Sequence, residues 1–143
     1  MVIDHVGIVV HSLEEGILQW TELFGYNQMT EQVINSLQQV KVVFMSKENS
    51  LQVKLIEPLN EKSPIYRFAQ KGGGIHHLCF RTQNLDSTIN ALEKKKNEIR
   101  IIVPPQPGEA FDNESIAFAL AKNNLNIELI DTEKRAKRIT NYE

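Results

Sequence analysis

The chain has a single cysteine, Cys79, among 143 residues. A lone cysteine closes no internal disulfide, which excludes a disulfide-stapled scaffold and agrees with a reducing compartment. No apolar run approaches the ~20 residues that a membrane span needs. The N-terminus has neither the basic region nor the apolar segment of a secretory signal, so a cytoplasmic protein is expected. An excess of one charge is lacking as well. The 16 Lys and Arg stand against 18 Asp and Glu, a formal net charge of −2, which argues against a general nucleic-acid binder. The one basic cluster is Lys134, Arg135, Lys137 and Arg138. It is expected to be a solvated tail, with contact to an anionic ligand group as a second reading. The length suits one compact domain with a sizeable core.

What the chain does have is a duplication. Ile3-Asp4-His5-Val6-Gly7-Ile8-Val9-Val10 opens it, and Gly72-Gly73-Gly74-Ile75-His76-His77-Leu78-Cys79-Phe80 restarts it, with His5 and His77 72 residues apart. Residues 2–10 alternate, Val6, Ile8 and Val10 on one face and His5, Gly7 and Val9 on the other. Ser12 and Glu15 form a capping box for a helix with Leu13, Ile17, Trp20 and Leu23/Phe24 on one side, ended by Gly25. Strands are expected over 39–46 and 51–57 around the turn Lys47-Glu48-Asn49-Ser50. Ser63-Pro64 starts a short connector helix through Ile65, Tyr66 and Phe68, stopping at Gly72. The second half repeats the plan. A strand occupies 75–82, and Asn84 caps a helix with Leu85, Ile89 and Leu92 that fades in Lys94-Lys95-Lys96. Strands follow near 99–103, 115–121 and 125–131, with an irregular loop at Pro104, Pro105, Pro107 and Gly108. Leu13 matches Leu85 and Ile17 matches Ile89 at an offset of 72, and Phe44 matches Phe118 and Leu55 matches Leu129 at 74.

One strand, one helix and further strands, twice over, predict an α+β protein of two similar modules around a shared cleft. Module one covers about 1–58, the connector helix 63–71, module two about 74–132, and a C-terminal tail 133–143. Val53, Leu55, Ile127 and Leu129 should pack under the helices. The opposite phase then brings His5, Lys54, His77 and Glu128 to equivalent places in the cleft. A lone histidine there is ordinarily just a polar group on a half-exposed strand. Three ligand-type residues at repeat-related positions favour a divalent metal held by His5, His77 and Glu128, with Zn, Co, Ni and Fe all compatible. Among the neighbours, Arg81 shares a strand face with His77 and Cys79 and is a candidate for an anionic substrate. Cys79 is expected to be a small buried residue, His76 to point away from His77 and pack under a helix, and His11 to be solvated. In Ala110-Phe111-Asp112-Asn113, a turn is expected at Asp112 and Asn113, and Asn113 is a second substrate candidate.

These residues resemble the vicinal oxygen chelate superfamily, with the glyoxalase fold, and within it the branch is similar to the methylmalonyl-CoA epimerases. The pieces that carry the resemblance are Glu57-Pro58-Leu59-Asn60, Ser63-Pro64-Ile65, Phe68, Gly74-Ile75-His76-His77, the opening Ile3-Asp4-His5-Val6-Gly7-Ile8 and the closing Ile127-Glu128-Leu129. The resemblance implies paired βαβββ modules forming a half-open barrel around a divalent metal. Three of the family's four metal positions are matched by His5, His77 and Glu128. The fourth, glutamine or glutamate in the family, is Lys54, and the epimerases' glutamate base falls at Val42.

A protonated lysine cannot ligate a metal. Either three ligands suffice and Lys54 is deprotonated or swings aside, which suits a general base, or Lys54 pairs with Glu128 and the metal is lost. As an enzyme, the protein would abstract a proton next to a carbonyl and stabilise the enolate on the metal. Glu128 and Lys54 are then the candidate catalytic groups in an isomerase or epimerase acting on a thioester or carboxylate, with lactoylglutathione lyase chemistry as an alternative. The other class is a non-catalytic small-molecule binding protein on the same fold, favoured by Val42 and Lys54. By resemblance, a homodimer is expected, with no nucleic-acid or membrane partner.

Overall fold

The computed structural model describes residues 1–139. Module one consists of β1 (Val2–Val9), α1 (Leu13–Phe24), β2 (Asn27–Gln28), β3 (Val33–Asn35), β4 (Val40–Ser46) and β5 (Gln52–Pro58). The connector helix is α2 (Tyr66–Gln70). Module two consists of β6 (Gly74–Arg81), α3 (Leu85–Glu93), β7 (Ile99–Gly108), β8 (Glu114–Ala121) and β9 (Leu125–Ile130), with a 3-10 turn at Glu109–Phe111. The α+β class and the two-module plan are as expected.

The strands form one open mixed sheet in the order β2-β4-β5-β1-β6-β9-β8-β7, with β3 also on β4. In each module the first strand runs parallel to the last, β1 beside β5 and β6 beside β9, and β1 and β6 pair antiparallel across the join. Two equivalent strands paired antiparallel put the modules in a pseudo-twofold relation, so equivalent residues of both converge on the join.

Both helices begin alike. Ser12 Oγ accepts from the Glu15 N–H at 3.3 Å, and Glu57 Oε1 accepts from the Leu13 N–H at 2.6 Å. In module two, Asn84 Oδ1 accepts from the Ser87 N–H at 2.9 Å, and Asp131 Oδ2 from the Leu85 N–H at 2.8 Å. Two otherwise orphaned donors are satisfied at each N-terminus, and each positive helix end meets a carboxylate from the end of its module's last strand. Gly25 stops α1 in the left-handed conformation, φ 72°.

Leu13 of α1 is buried with Val43, Met45, Val53 and Leu55 of the sheet, and Ile17 and Trp20 pack against them. In module two, Leu85 and Ile89 of α3 are buried with Ala117, Ala119, Ile127 and Leu129 of the sheet. Each large aliphatic side chain so buried contributes about 1.5–3 kcal/mol, which pins the helices to one side of the sheet. The alternate phase, including Val9, Val42, Phe44, Ile56, Ile116 and Ile130, forms a third cluster on the other side with Phe111. The cleft is built on that side. At the restart of the chain, Gly73 has φ 69°, and a Cβ there would strike the Val9 carbonyl, so glycine is required.

Several elements depart from expectation. β2 and β3 occupy a segment with no predicted strand, because two or three residues carry no legible alternation. β7 continues through Pro104, Pro105 and Pro107 instead of breaking into a loop. It is an edge strand, where a missing N–H is tolerated, and register shifts on either side of Val103 absorb the irregularity. The connector helix begins at Tyr66, not Ser63; Ser63 Oγ instead accepts from the Ile65 N–H at 3.4 Å in a preceding turn. The C-terminal segment is not simply a solvated tail, since Arg135 and Ala136 are buried and Arg138 bridges to Thr30. Residues 140–143 of the expected tail lie outside the described residues. Among the described residues, no helix is long and apolar enough to cross a membrane.

Candidate functional site

The ladder between β1 and β6 is irregular at two places. Asp4 is the extra residue between the pairs Ile3–Phe80 and His5–Cys79, and His76 is the extra residue between Ile8–Ile75 and Gly7–His77. These are one-residue bulges at repeat-equivalent positions. A bulge breaks the two-residue alternation and re-aims side chains. That corrects the expectation for His76: it lies beside His77, Nδ1 to Nδ1 at 2.9 Å, with the Phe68 ring of α2 edge-on at 5.1 Å.

The join brings the four expected residues together in two rows. Gly7 pairs with Lys54 on one side and His77 on the other, and Cys79 pairs with His5 and Glu128. Gly7 is needed because a Cβ there would overlap the His77 ring. All four side chains meet at one atom, Glu128 Oε1. Lys54 Nζ lies 2.7 Å from it, His5 Nε2 3.1 Å and His77 Nε2 3.2 Å. The four are buried, His5 and Glu128 completely. Glu128 Oε2 is buried with no partner among the described residues. Around them stand Phe44, edge-on to His5 at 5.1 Å, and Phe111, whose ring centroid is 5.4 Å from Lys54 Nζ.

A supporting layer holds His5 from behind. His5 Nδ1 is 2.7 Å from Asp4 Oδ2. Asp4 in turn accepts from Arg135, which also donates to Gln52 Oε1 at 3.0 Å and lies over the Phe44 ring at 4.2 Å. Asp4, His76, Gln52 and Arg135 were not anticipated in these roles. The offset of 72 carries a signal for two of them, since Asp4 and His76 each precede a site histidine. A basic run near the chain end carries none for Arg135.

Burial alone would raise the Glu128 carboxyl, but the Lys54 ammonium and the hydrogen bonds from His5 and His77 outweigh it and hold Glu128 well below the usual carboxylate range. Asp4 is likewise lowered, with burial opposed by the His5 hydrogen bond and Arg135. Burial, helped by Lys54, lowers His77 to about 4, so it is neutral at neutral pH. His76 is lowered by burial and then by Lys54. The Cys79 thiol is pushed far up by burial and by Glu128, so it is an inert buried residue.

Lys54, His76 and His77 line a cavity of about 280 Å³ whose walls come from both modules, including Val42, Ile56, Phe118 and Ile127. Val42 presents an apolar surface to the cavity. Glu128 and His5 lie behind the cavity wall. Arg81 is outside the cavity lining and instead reaches Asp4 at 3.8 Å and Glu133 at 3.2 Å. Asn113 is also outside it, in a turn with Asp112, φ 66° and 55°. His11 is exposed.

His5, His77 and Glu128 each offer one ligand atom, all within 4.8 Å of one another, a set that can hold a metal ion. Adjacent ligands at bonds of ~2.1 Å are about 3 Å apart at a right angle, close to the spacings here. The partnerless Glu128 oxygen is a spare donor. The fourth corner does not suit an ion. An ammonium touches the very oxygen that would ligate, and a single charge 4 Å from a divalent one costs about 8 kcal/mol at an effective dielectric of 20. Three corners fit a divalent metal, and the four together, with Lys54 in contact, do not.

The fold and this converging set define a known class. Residues 4–118 match the Glyoxalase/Bleomycin resistance protein/Dioxygenase superfamily, and the chain belongs to that superfamily. Similar proteins include human mitochondrial methylmalonyl-CoA epimerase, 35% identical over 96 residues, which are 66% of this chain and 53% of that protein. The chain thus spans about half the length of that relative. The mitochondrial methylmalonyl-CoA epimerase of Dictyostelium discoideum is 29% identical over 135 residues, 93% of this chain and 78% of that one. The crystal structure of methylmalonyl-CoA epimerase from Mycobacterium tuberculosis superposes with a TM-score of 0.79 at 30% identity, covering 90% of this chain and 86% of that one.

Proposed function

We propose that the protein is an isomerase of the epimerase type, moving a proton at the carbon next to the carbonyl of a small thioester that also bears a carboxylate. The observation that carries the reading is a cation, Lys54, and a neutral imidazole pair, His76 and His77, on the wall of one cavity whose other lining is mostly apolar. The similarity to methylmalonyl-CoA epimerases supports a thioester as the substrate class. One hydrogen-bond arrangement satisfies every atom of the relay. His76 Nδ1–H donates to His77 Nδ1, and His77 Nε2–H donates to Glu128 Oε1, leaving the His76 Nε2 lone pair free.

That lone pair takes the substrate proton. The C–H electron pair moves into the carbonyl, and the enolate oxygen so formed faces the Lys54 ammonium. A proton from solvent added to the other face of the carbon, with His76 giving its own proton up to solvent, completes epimerisation. Lys54 acts by charge where charge develops, in a mostly apolar cavity. Glu128, behind the wall, stabilises the positive charge that His77 shares. A divalent metal, where a member of the superfamily holds one, supplies the same stabilisation as a Lewis acid.

A non-catalytic binding protein is the second reading, favoured by Val42, which leaves the cavity without a carboxylate base. The two separate in deuterated water. Incubation with methylmalonyl-CoA and related acyl thioesters, followed by NMR of the C2 proton, should show catalysed exchange that Lys54→Met abolishes. Tight binding of a thioester without exchange would establish the binding protein instead.

A further inference from the structure

We propose that the Lys54 ammonium stands in the place of the divalent metal, as a cation carried on the chain itself. For its catalytic consequence this rests on the isomerase reading, but the claim about the cation stands on the site alone. His5 Nε2, His77 Nε2 and Glu128 Oε1 converge as ligands do, and the group found in contact with their shared oxygen is an ammonium, 2.7 Å away. By the repeat, Lys54 is the counterpart of Glu128 and occupies the fourth corner. A lysine is one bond longer than a glutamine, so its nitrogen extends past a ligand atom's position towards the point on which the other three are aimed.

The hydrogen bonds agree. His5 lies between two carboxylates, Asp4 Oδ2 at 2.7 Å and Glu128 Oε1 at 3.1 Å. A neutral imidazole has one proton and can donate to only one of them. Whichever contact lacks the proton needs a cation close by, and both carboxylates have one, Arg135 on Asp4 and Lys54 on Glu128. One ammonium against one carboxylate is also a balanced buried pair, whereas a divalent ion beside the ammonium would leave excess positive charge in an apolar pocket. Lys54 at the same time lines the cavity, so it has N–H donors to offer a substrate oxygen, the function a metal serves in such a site.

Metal content decides the matter without reference to turnover. Wild type and Lys54→Gln are purified without added metal, incubated with excess Co²⁺, desalted, and measured by elemental analysis and visible absorption. Wild type should retain no Co²⁺, show no Co²⁺ absorption and melt at the same temperature with and without the ion. Lys54→Gln should bind one Co²⁺ per chain and gain thermal stability from it, as any ligand of the folded state confers. One equivalent of Co²⁺ on wild type would overturn the proposal. So would a folded Lys54→Gln that binds none, because Lys54 would then not be what excludes the ion. If Lys54→Gln does not fold, the wild-type metal content and melting shift decide alone. A metal-free wild type that also fails to exchange substrate protons would remove the isomerase reading and leave the built-in cation standing.

Discussion

Lys54 and Glu128 form an ion pair at 2.7 Å with side chains 3% and 0% exposed. At that depth, removing one partner strands a charge, which costs about 3–5 kcal/mol, whereas replacing both with apolar groups of similar volume is close to neutral. Glu128→Leu leaves the ammonium against Phe111 without its recorded ion-pair partner among the described residues. Lys54→Met leaves a carboxylate that still has His5 and His77 beside it, so it should be the milder of the two. Each single variant should lose several kcal/mol, and the double variant should return most of the loss, a coupling of about 3 kcal/mol where independent sites add within ~0.5. For a domain near this length each kcal/mol moves the midpoint by about 3–5 °C, so Glu128→Leu should melt some ten degrees or more below wild type. Urea unfolding followed by Trp20 fluorescence, with chelator present throughout, measures all four corners of the cycle. Additive singles, or a Glu128→Leu variant as stable as wild type, would refute the reasoning that this pair is a tight, desolvated one.

Acid should destabilise the protein earlier than its carboxylates alone require. His77 titrates near 4 when folded and near 6.5 when unfolded. The unfolded chain therefore binds the extra proton, and up to about 3 kcal/mol is lost as pH falls from about 6.5 to 4. Glu128 and Asp4, both lowered in the folded state, act in the same sense at lower pH; a urea midpoint flat between pH 7 and 4.5 would contradict this. Gly7→Ala should displace the His77 ring, costing about 1–3 kcal/mol as overpacking and losing proton exchange while the helical circular dichroism is kept. The chain should also form a homodimer that covers some of its exposed apolar side chains, among them Leu23, Leu37 and Ile75. Sedimentation showing only monomer at micromolar concentration would count against that.

The duplication was legible because it is written in side-chain identity. Leu13 and Leu85, Leu55 and Leu129, and His5 and His77 carry the modules, the helix-facing phase and the cleft residues directly. The alternation of β5 and β9 was enough to bring Lys54 and Glu128 to one place. What alternation could not show is where it fails. The bulges at Asp4 and His76 arise from the pairing of β1 with β6, a contact between strands far apart in sequence, so alternation alone places His76 on the wrong face. β7 runs through its prolines only because it lies at the edge of the sheet, which depends on strand order and not on local composition. Arg135 looks like one more solvated charge in a basic run, and its burial depends on Phe44, Gln52 and Asp4, all more than eighty residues away. The choice between a metal and a Lys54–Glu128 pair was left open by residue identity, since both outcomes use the same side chains. The 2.7 Å contact between Lys54 and Glu128 is what favours the pair.

The most direct test is deuterium incorporation at C2 of methylmalonyl-CoA in heavy water, read by mass spectrometry, with wild type stripped by chelator and Lys54→Met treated in parallel. The account predicts that stripped wild type incorporates one deuterium well above the buffer rate and that Lys54→Met does not. Incorporation that vanishes with the chelator and returns with Co²⁺ would contradict it.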